Sequence, residues 1–104
     1  MTTVYVAGQL GIDPVAGKLV DGGIESQTRQ VMKNLAAIAA EAGGSLDDAV
    51  KTTVFLRDFN DFAAMNSIYD EYFGDALPAR STVEVSRLPL GGIVEIEAVL
   101  VLEG

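Results

Sequence analysis

The sequence of 104 residues contains no cysteine and no histidine. Disulfide staples, thiolate nucleophiles, Ser-His-Asp triads and ordinary zinc sites are excluded at once. Positive charge is scarce as well: Lys and Arg number 7 against 15 Asp and Glu, giving a net charge of −8. Binding to nucleic-acid phosphates needs a basic footprint, so no nucleic-acid partner is expected. No run of about eighteen apolar residues occurs, so no membrane-spanning helix is expected. The opening MTTVYVAG lacks a basic stretch and a long apolar segment. No signal peptide is therefore expected, and the cytoplasm is the expected location. The chemistry left to the chain uses carboxylates, Lys, Arg, Tyr, Ser, Thr, backbone groups or water, with no cofactor and no metal.

What is present is a hydrophobic content of 49%, too high for a disordered chain. The length fits one domain, residues 1–104, burying roughly two-thirds of its unfolded surface. The last third, LPARSTVEVSRLPLGGIVEIEAVLVL, carries two runs of alternation, 80–86 and 93–102. Separated by Leu88-Pro89-Leu90-Gly91-Gly92, they predict an antiparallel hairpin. Alternation puts Val83 and Val85 on one face of the first run and Arg80, Thr82, Glu84 and Ser86 on the other. In the second run Val94, Ile96, Ala98, Leu100 and Leu102 share a face; Ile93, Glu95, Glu97, Val99 and Val101 share its opposite. With the aliphatic faces inward, Arg80 and Glu95 are expected together on a half-dry sheet face closed over by another subunit.

Upstream, residues 3–10 alternate as a strand with Gly8 inside it, the signal of a bulge or of a close approach to backbone or ligand. Residues 11–23 form a loop, with a short strand near Lys18. The stripe Ile24, Thr28, Val31, Leu35, Ile38 and Ala42 predicts a helix over 24–42 stopped by Gly43-Gly44. Val50, Thr52, Val54 and Leu56 predict a strand over 49–57. A second helix follows, capped by Asn60 or Asp61 and ended by Gly74, with Phe62, Met65, Tyr69, Tyr72 and Phe73 on its apolar stripe. Asn66 flanks that stripe. Helices separated by strands indicate an α+β layer fold, with two helices on one face of a mixed sheet.

Three blocks, TTVFLRDFNDFAAMN (52–66), LPARSTVEVSRLP (77–89) and VEIEAV (94–99), together with AGQLGIDPVAGKLV (7–20), resemble the RidA/YjgF family of reactive-intermediate deaminases. The resemblance implies a chorismate-mutase-like α+β domain of six-stranded type, assembled as a homotrimer with clefts between subunits. It implies hydrolysis of 2-imino acids, tautomers of the enamines released by pyridoxal-phosphate enzymes, to 2-keto acids and ammonia. Carried over by motif, Arg80 binds the substrate carboxylate and Glu95 positions the attacking water. Gly8 lends backbone to the substrate site, and Ala7, Ser81, Thr82 and Asn66 line it. An arginine suits a 2-imino acid because its planar fork grips a carboxylate through two parallel hydrogen bonds.

The chain departs from the family pattern in three places. It begins directly on what is usually the second strand, so an unpaired sheet edge is expected. Ala7 stands where a hydroxyl residue is common, and Thr82 where the deaminases have cysteine. A hydrogen bond to a charged group is worth about 1.5–3 kcal/mol, so weakened catalysis is expected. Two other readings stay open: a non-catalytic trimer that binds or senses 2-keto acids through Arg80, and the nuclease activity attached to some relatives. From the residues alone, Arg80 could equally pair with Glu84 or Glu95 as a structural ion pair.

Overall fold

A computed structural model describes residues 1–103. Its strands are β1 (Thr2–Leu10), β2 (Ile12–Asp13), β3 (Lys18–Leu19), β4 (Ala49–Leu56), β5 (Ala79–Glu84) and β6 (Val94–Leu102). Two helices join them, α1 (Gly23–Glu41) and α2 (Phe62–Phe73). The main sheet has the order β1-β6-β4-β5, while β2 and β3 form a separate ribbon. Strand β6 runs antiparallel to both β1 and β4, and β4 runs parallel to β5. A parallel pair cannot be closed by a tight turn; α2 supplies the crossover between β4 and β5. The expected α+β class, a mixed sheet with two helices packed on one face, is the architecture found.

The expected hairpin is not. β5 and β6 share a sheet but do not touch in it, because β4 lies between them. The connection explains why. Pro89–Gly91 forms a single 3₁₀ turn in which Leu90 has φ 60° and Gly91 φ 76°. Proline fixes one dihedral and offers no N–H, so this segment does not build a two-residue hairpin turn. It serves instead as a span that carries the chain past β4.

The core lies between the sheet and the helices. α1 contributes Val31, Met32, Leu35 and Ala39; α2 contributes Met65, Tyr69 and Phe73; β4 and β6 contribute Val54, Leu56, Val94, Ile96, Ala98 and Leu100. The five inward residues of β6 are those the alternation predicted. The stripe on α1 is rotated from expectation: Met32 and Ala39 are fully buried, whereas Ile24 and Ile38 are only partly so. Gly43, at φ 94°, ends α1 as predicted, and Gly44 N–H reaches back to the Ala39 carbonyl at 2.8 Å. Val50 alternates in the sequence with Thr52, Val54 and Leu56, which are buried. A register shift between Ala49 and Lys51 turns it out, leaving it 48% exposed.

The other sheet face is uncovered within one chain. It carries Tyr5 from β1, Val99, Glu97 and Glu95 from β6, Lys51, Thr53 and Phe55 from β4, and Ser81 and Val83 from β5. Tyr5 is 81% exposed and Val83 42%. None of the helices is long and apolar enough to cross a membrane among the described residues.

Candidate functional site

Arg80 sits on edge strand β5, in register with Thr52 of β4, which in turn faces Ala98 of β6. Thr52 and Ala98 are buried under the helices, so Arg80 projects to the helix-covered face. There its guanidinium carbon lies 4.6 Å from the Tyr69 ring centroid and 5.5 Å from that of Phe62. Arg80 Nη1 donates to Asn66 Oδ1 at 2.7 Å. Cation–π contact fixes the plane of the group, and the amide fixes its rotation in that plane. Tyr69 is itself anchored, with its hydroxyl 2.6 Å from Thr52 Oγ1 in the core. Burial, the largest influence, pushes the Tyr69 hydroxyl above its usual pKa; Asp70 adds to the rise, while Thr52 and Arg80 oppose it.

A cavity of about 410 Å³ opens beside this group, lined by Asn66, Tyr69, Asp70, Leu77, Pro78 and Arg80. Helix α2 assembles one side of it. Asn66, Tyr69 and Asp70 recur at the spacing that places side chains on one helical face, and Phe62, one turn earlier, meets the guanidinium. Arg80 forms no ion pair with Glu84, which instead accepts from Phe59 N–H at 2.8 Å. Among the described residues the one ion pair is Arg29–Glu71, between the two helices.

Glu95 lies elsewhere. It is opposite Leu10 on β1 and Phe55 on β4, and therefore on the open sheet face. The expectation that Arg80 and Glu95 share a face is thus corrected. Ser81 and Val83, in register with Thr53 and Phe55, are outward residues of β5, and Arg80 is inward. The inversion is physically reasonable at an edge strand beside two aromatic rings, where a guanidinium finds stacking partners and an amide. Counting two strand spacings across and three residues along, the two α-carbons are about 14 Å apart.

Gly8 does belong with Glu95. The register of β1 against β6 slips between Val6 and Gln9, a bulge at Ala7 and Gly8. A β-carbon at residue 8 would fall 2.5 Å from Glu95 Oε2, so glycine lets the carboxylate lie directly against the backbone here. Both meanings proposed for an interior glycine, bulge and close approach, apply. The bulge also ends the simple alternation of β1 beyond Val6. Ala7 is exposed beside it.

The expected site residues therefore fall into separate groups within one chain. Arg80 and Asn66 meet on the helix side, and Gly8, Ala7 and Glu95 cluster at the bulge. Thr82 follows Arg80 on the inward face; its Oγ1 is buried without a hydrogen-bond partner, but it does not line the cavity. Ser81 is exposed on the open face. Tyr69, Phe62 and Asp70 are the neighbours of Arg80 that the sequence reading missed. The first two had been counted as core alone, although their helical spacing to Asn66 was already visible. A second, mostly apolar cleft of about 390 Å³ runs from Gly8 and Leu10 to Ile38, bordered by Asn34, which donates to the Leu10 and Ile12 carbonyls.

The chain is an α+β layer with one uncovered sheet face, an arginine held on the helix side and the half-buried Glu95 carboxylate of central strand β6 on the open side. Its family is shown by comparison. Residues 1–102 match the family described as Endoribonuclease L-PSP. The chain is 55% identical over 96 residues to a RutC family protein of Pyrococcus abyssi, covering 92% of this chain and 76% of that one. It is 48% identical over 99 residues to the 2-iminobutanoate/2-iminopropanoate deaminase of Mus musculus, covering 95% and 73% respectively. The crystal structure of E. coli TdcF with bound serine superposes with a TM-score of 0.91 at 38% identity, over 97% of this chain and 81% of that one. The chain belongs to this family, the RidA family that its motifs resemble.

Proposed function

We propose that the protein is a hydrolytic deaminase of 2-imino acids, working as a homotrimer in which one copy supplies Arg80 and its neighbour supplies Glu95. The observation that carries this reading is the Arg80 guanidinium, held between Tyr69 and Asn66 at the mouth of a 410 Å³ cavity. The names of relatives that are nearly half identical support the reaction. The uncovered sheet face bearing Tyr5, Val83, Val99 and Glu95 supports a neighbouring copy as the second wall. The bound serine of TdcF is a small carboxylate of the size this cavity accommodates.

In the proposed reaction Arg80 takes the substrate carboxylate through its free N–H edge. Water, oriented by Glu95 beside Gly8, attacks C2 of the protonated imine. The new C–O bond forms as the C=N π pair moves to nitrogen, and Glu95 accepts the water's proton. Return of that proton to nitrogen makes ammonia the leaving group; as the C–N bond breaks, the adduct's hydroxyl gives its proton back to Glu95 and the C=O bond of the 2-keto acid forms. General-base help is worth about 10²–10⁴-fold, and holding the water in place adds to it. Iminium carbon is already electrophilic, so neither metal nor thiol is needed. Enamines shed by pyridoxal-phosphate enzymes are the supply this chemistry fits, and a cytoplasmic location is in keeping with it.

The test generates 2-iminobutanoate in situ and follows its loss, alongside light scattering for the assembled mass. Faster loss that vanishes in Arg80→Ala, from a particle of three copies, is the expected result. No gain over buffer at micromolar protein rejects the enzyme. A second reading, a binding or regulatory trimer for 2-keto acids, is favoured by Ala7, whose methyl gives no hydrogen bond at the bulge beside Glu95. Thermal stabilisation by 2-oxobutanoate without turnover would select it. RNA cleavage, the activity in the family's description, is opposed by the net charge of −8.

A further inference from the structure

We propose that Asp70 makes the Arg80 cavity selective for a carboxylate carrying a protonated nitrogen on its neighbouring carbon, so that it favours 2-iminium acids and 2-amino acids over 2-keto acids. Asp70 is the one anionic residue lining that cavity, and Arg80 the one cation. No ion pair joins the two. Asn66 stands between: its Oδ1 accepts from Arg80 at 2.7 Å, while its Nδ2 faces Asp70 Oδ2 at 3.5 Å. The amide thus holds a positive and a negative group apart, both open to one space. Arg80 lies 4.6 Å from the Tyr69 ring centroid, and Asp70 follows Tyr69 on α2.

A 2-imino acid carries its two charged groups on adjacent carbon centres. With the carboxylate on Arg80, one of its two flat orientations turns the nitrogen toward Asp70. The N–H⁺ then donates to the carboxylate. A 2-keto acid in the same pose presents a carbonyl oxygen, an acceptor facing an anion, and is repelled. Substrate and product differ only at this atom, so Asp70 would both orient the imine and hasten product release. Because Asp70 is exposed, the effect is moderate and salt-screened. This inference rests on Arg80 as the carboxylate clamp.

The experiment titrates L-2-aminobutanoate and 2-oxobutanoate, which share a carbon skeleton, into the wild type, Asp70→Asn, Asp70→Glu and Arg80→Ala. The wild type should prefer the amino acid, and Asp70→Asn should cut that preference about three- to ten-fold. Asp70→Glu should restore part of it. Added salt should erode the preference in the wild type and not in Asp70→Asn. A preference unchanged in Asp70→Asn, or absent from the wild type, overturns the role of Asp70 while leaving the clamp intact. Undiminished binding of both acids by Arg80→Ala removes the clamp itself, and this inference with it.

Discussion

The contact between Thr52 and Tyr69 offers a sharp test of how the Arg80 platform is built. Thr52 and Tyr69 are each 1% exposed, with their oxygens 2.6 Å apart. Thr52→Val keeps the side-chain shape and leaves the tyrosine hydroxyl buried without a partner. That should cost about 1–3 kcal/mol. Tyr69→Phe orphans the threonine hydroxyl and should cost a similar amount. In the double variant both polar groups are gone, so the loss should fall well short of the sum, with a coupling of about 1–2 kcal/mol. Urea unfolding at one fixed protomer concentration measures this, since assembly would otherwise add a mass-action contribution. The slope with urea should not change between variants. Binding adds a second readout. Tyr69→Phe keeps the ring under Arg80, so carboxylate affinity should hold within about two-fold, whereas Tyr69→Leu should lose several-fold. Strict additivity of the two single losses, or equal binding by the Phe and Leu variants, would refute the reasoning.

Alkaline stability should report the same hydroxyl. Its folded pKa lies above the ordinary 10.0, so the unfolded chain ionises first. The stability it contributes is complete below the unfolded value and drains away as pH rises through the folded one. Tyr69→Phe should therefore flatten the fall in stability above about pH 10, and an unchanged slope in pH-dependent unfolding would count against the buried assignment. Two glycines should separate function from folding. Gly8→Ala meets the flexible end of Glu95, so it should cost less than about 1 kcal/mol of stability while lowering imine turnover about ten-fold by displacing the carboxylate. Gly11→Ala meets the Gln27 Cα and carbonyl oxygen at 2.9 Å, backbone that cannot swing aside, and should cost about 1–3 kcal/mol in thermal or urea unfolding.

The inward face of β6 was legible because a central strand covered by helices shows alternation undiluted: Val94, Ile96, Ala98, Leu100 and Leu102 are all buried. Helix α1 and its glycine stop were legible for the same reason, a long stripe and a left-handed terminator. β5 was not. Within ARSTVE the inward and outward residues are equally polar, so alternation gives no sign of which side is core. Its partner was hidden as well, because β4 pairs with it across an intervening helix while β6 follows it directly in sequence. The inward turn of Arg80 depends on Phe62, Asn66 and Tyr69 arriving from α2, a tertiary fact that no local pattern carries. The bulges at Gly8 and Val50 each shift a strand by one residue, enough to exchange the faces of everything beyond.

The inward turn of Arg80 has a consequence for the proposed reaction. Arg80 and Glu95 stand on opposite sides of one sheet, with α-carbons about 14 Å apart. If both act on one molecule of imine, they come from different copies. In a cyclic trimer each interface is head-to-tail, joining the Arg80 side of one copy to the Glu95 side of the next. Arg80→Ala and Glu95→Gln should then be nearly inactive alone yet complement each other when co-assembled. With equal, random mixing, about one interface in four pairs an intact Arg80 with an intact Glu95. Roughly a quarter of wild-type turnover per site should return, at unchanged KM, because the restored sites contain every group in its proper place. Simple mixing of preformed trimers should restore nothing until subunits exchange, which separates complementation from contamination. A mixed assembly, verified by mass to contain both variants and still silent, would mean that the two residues do not meet at any shared site.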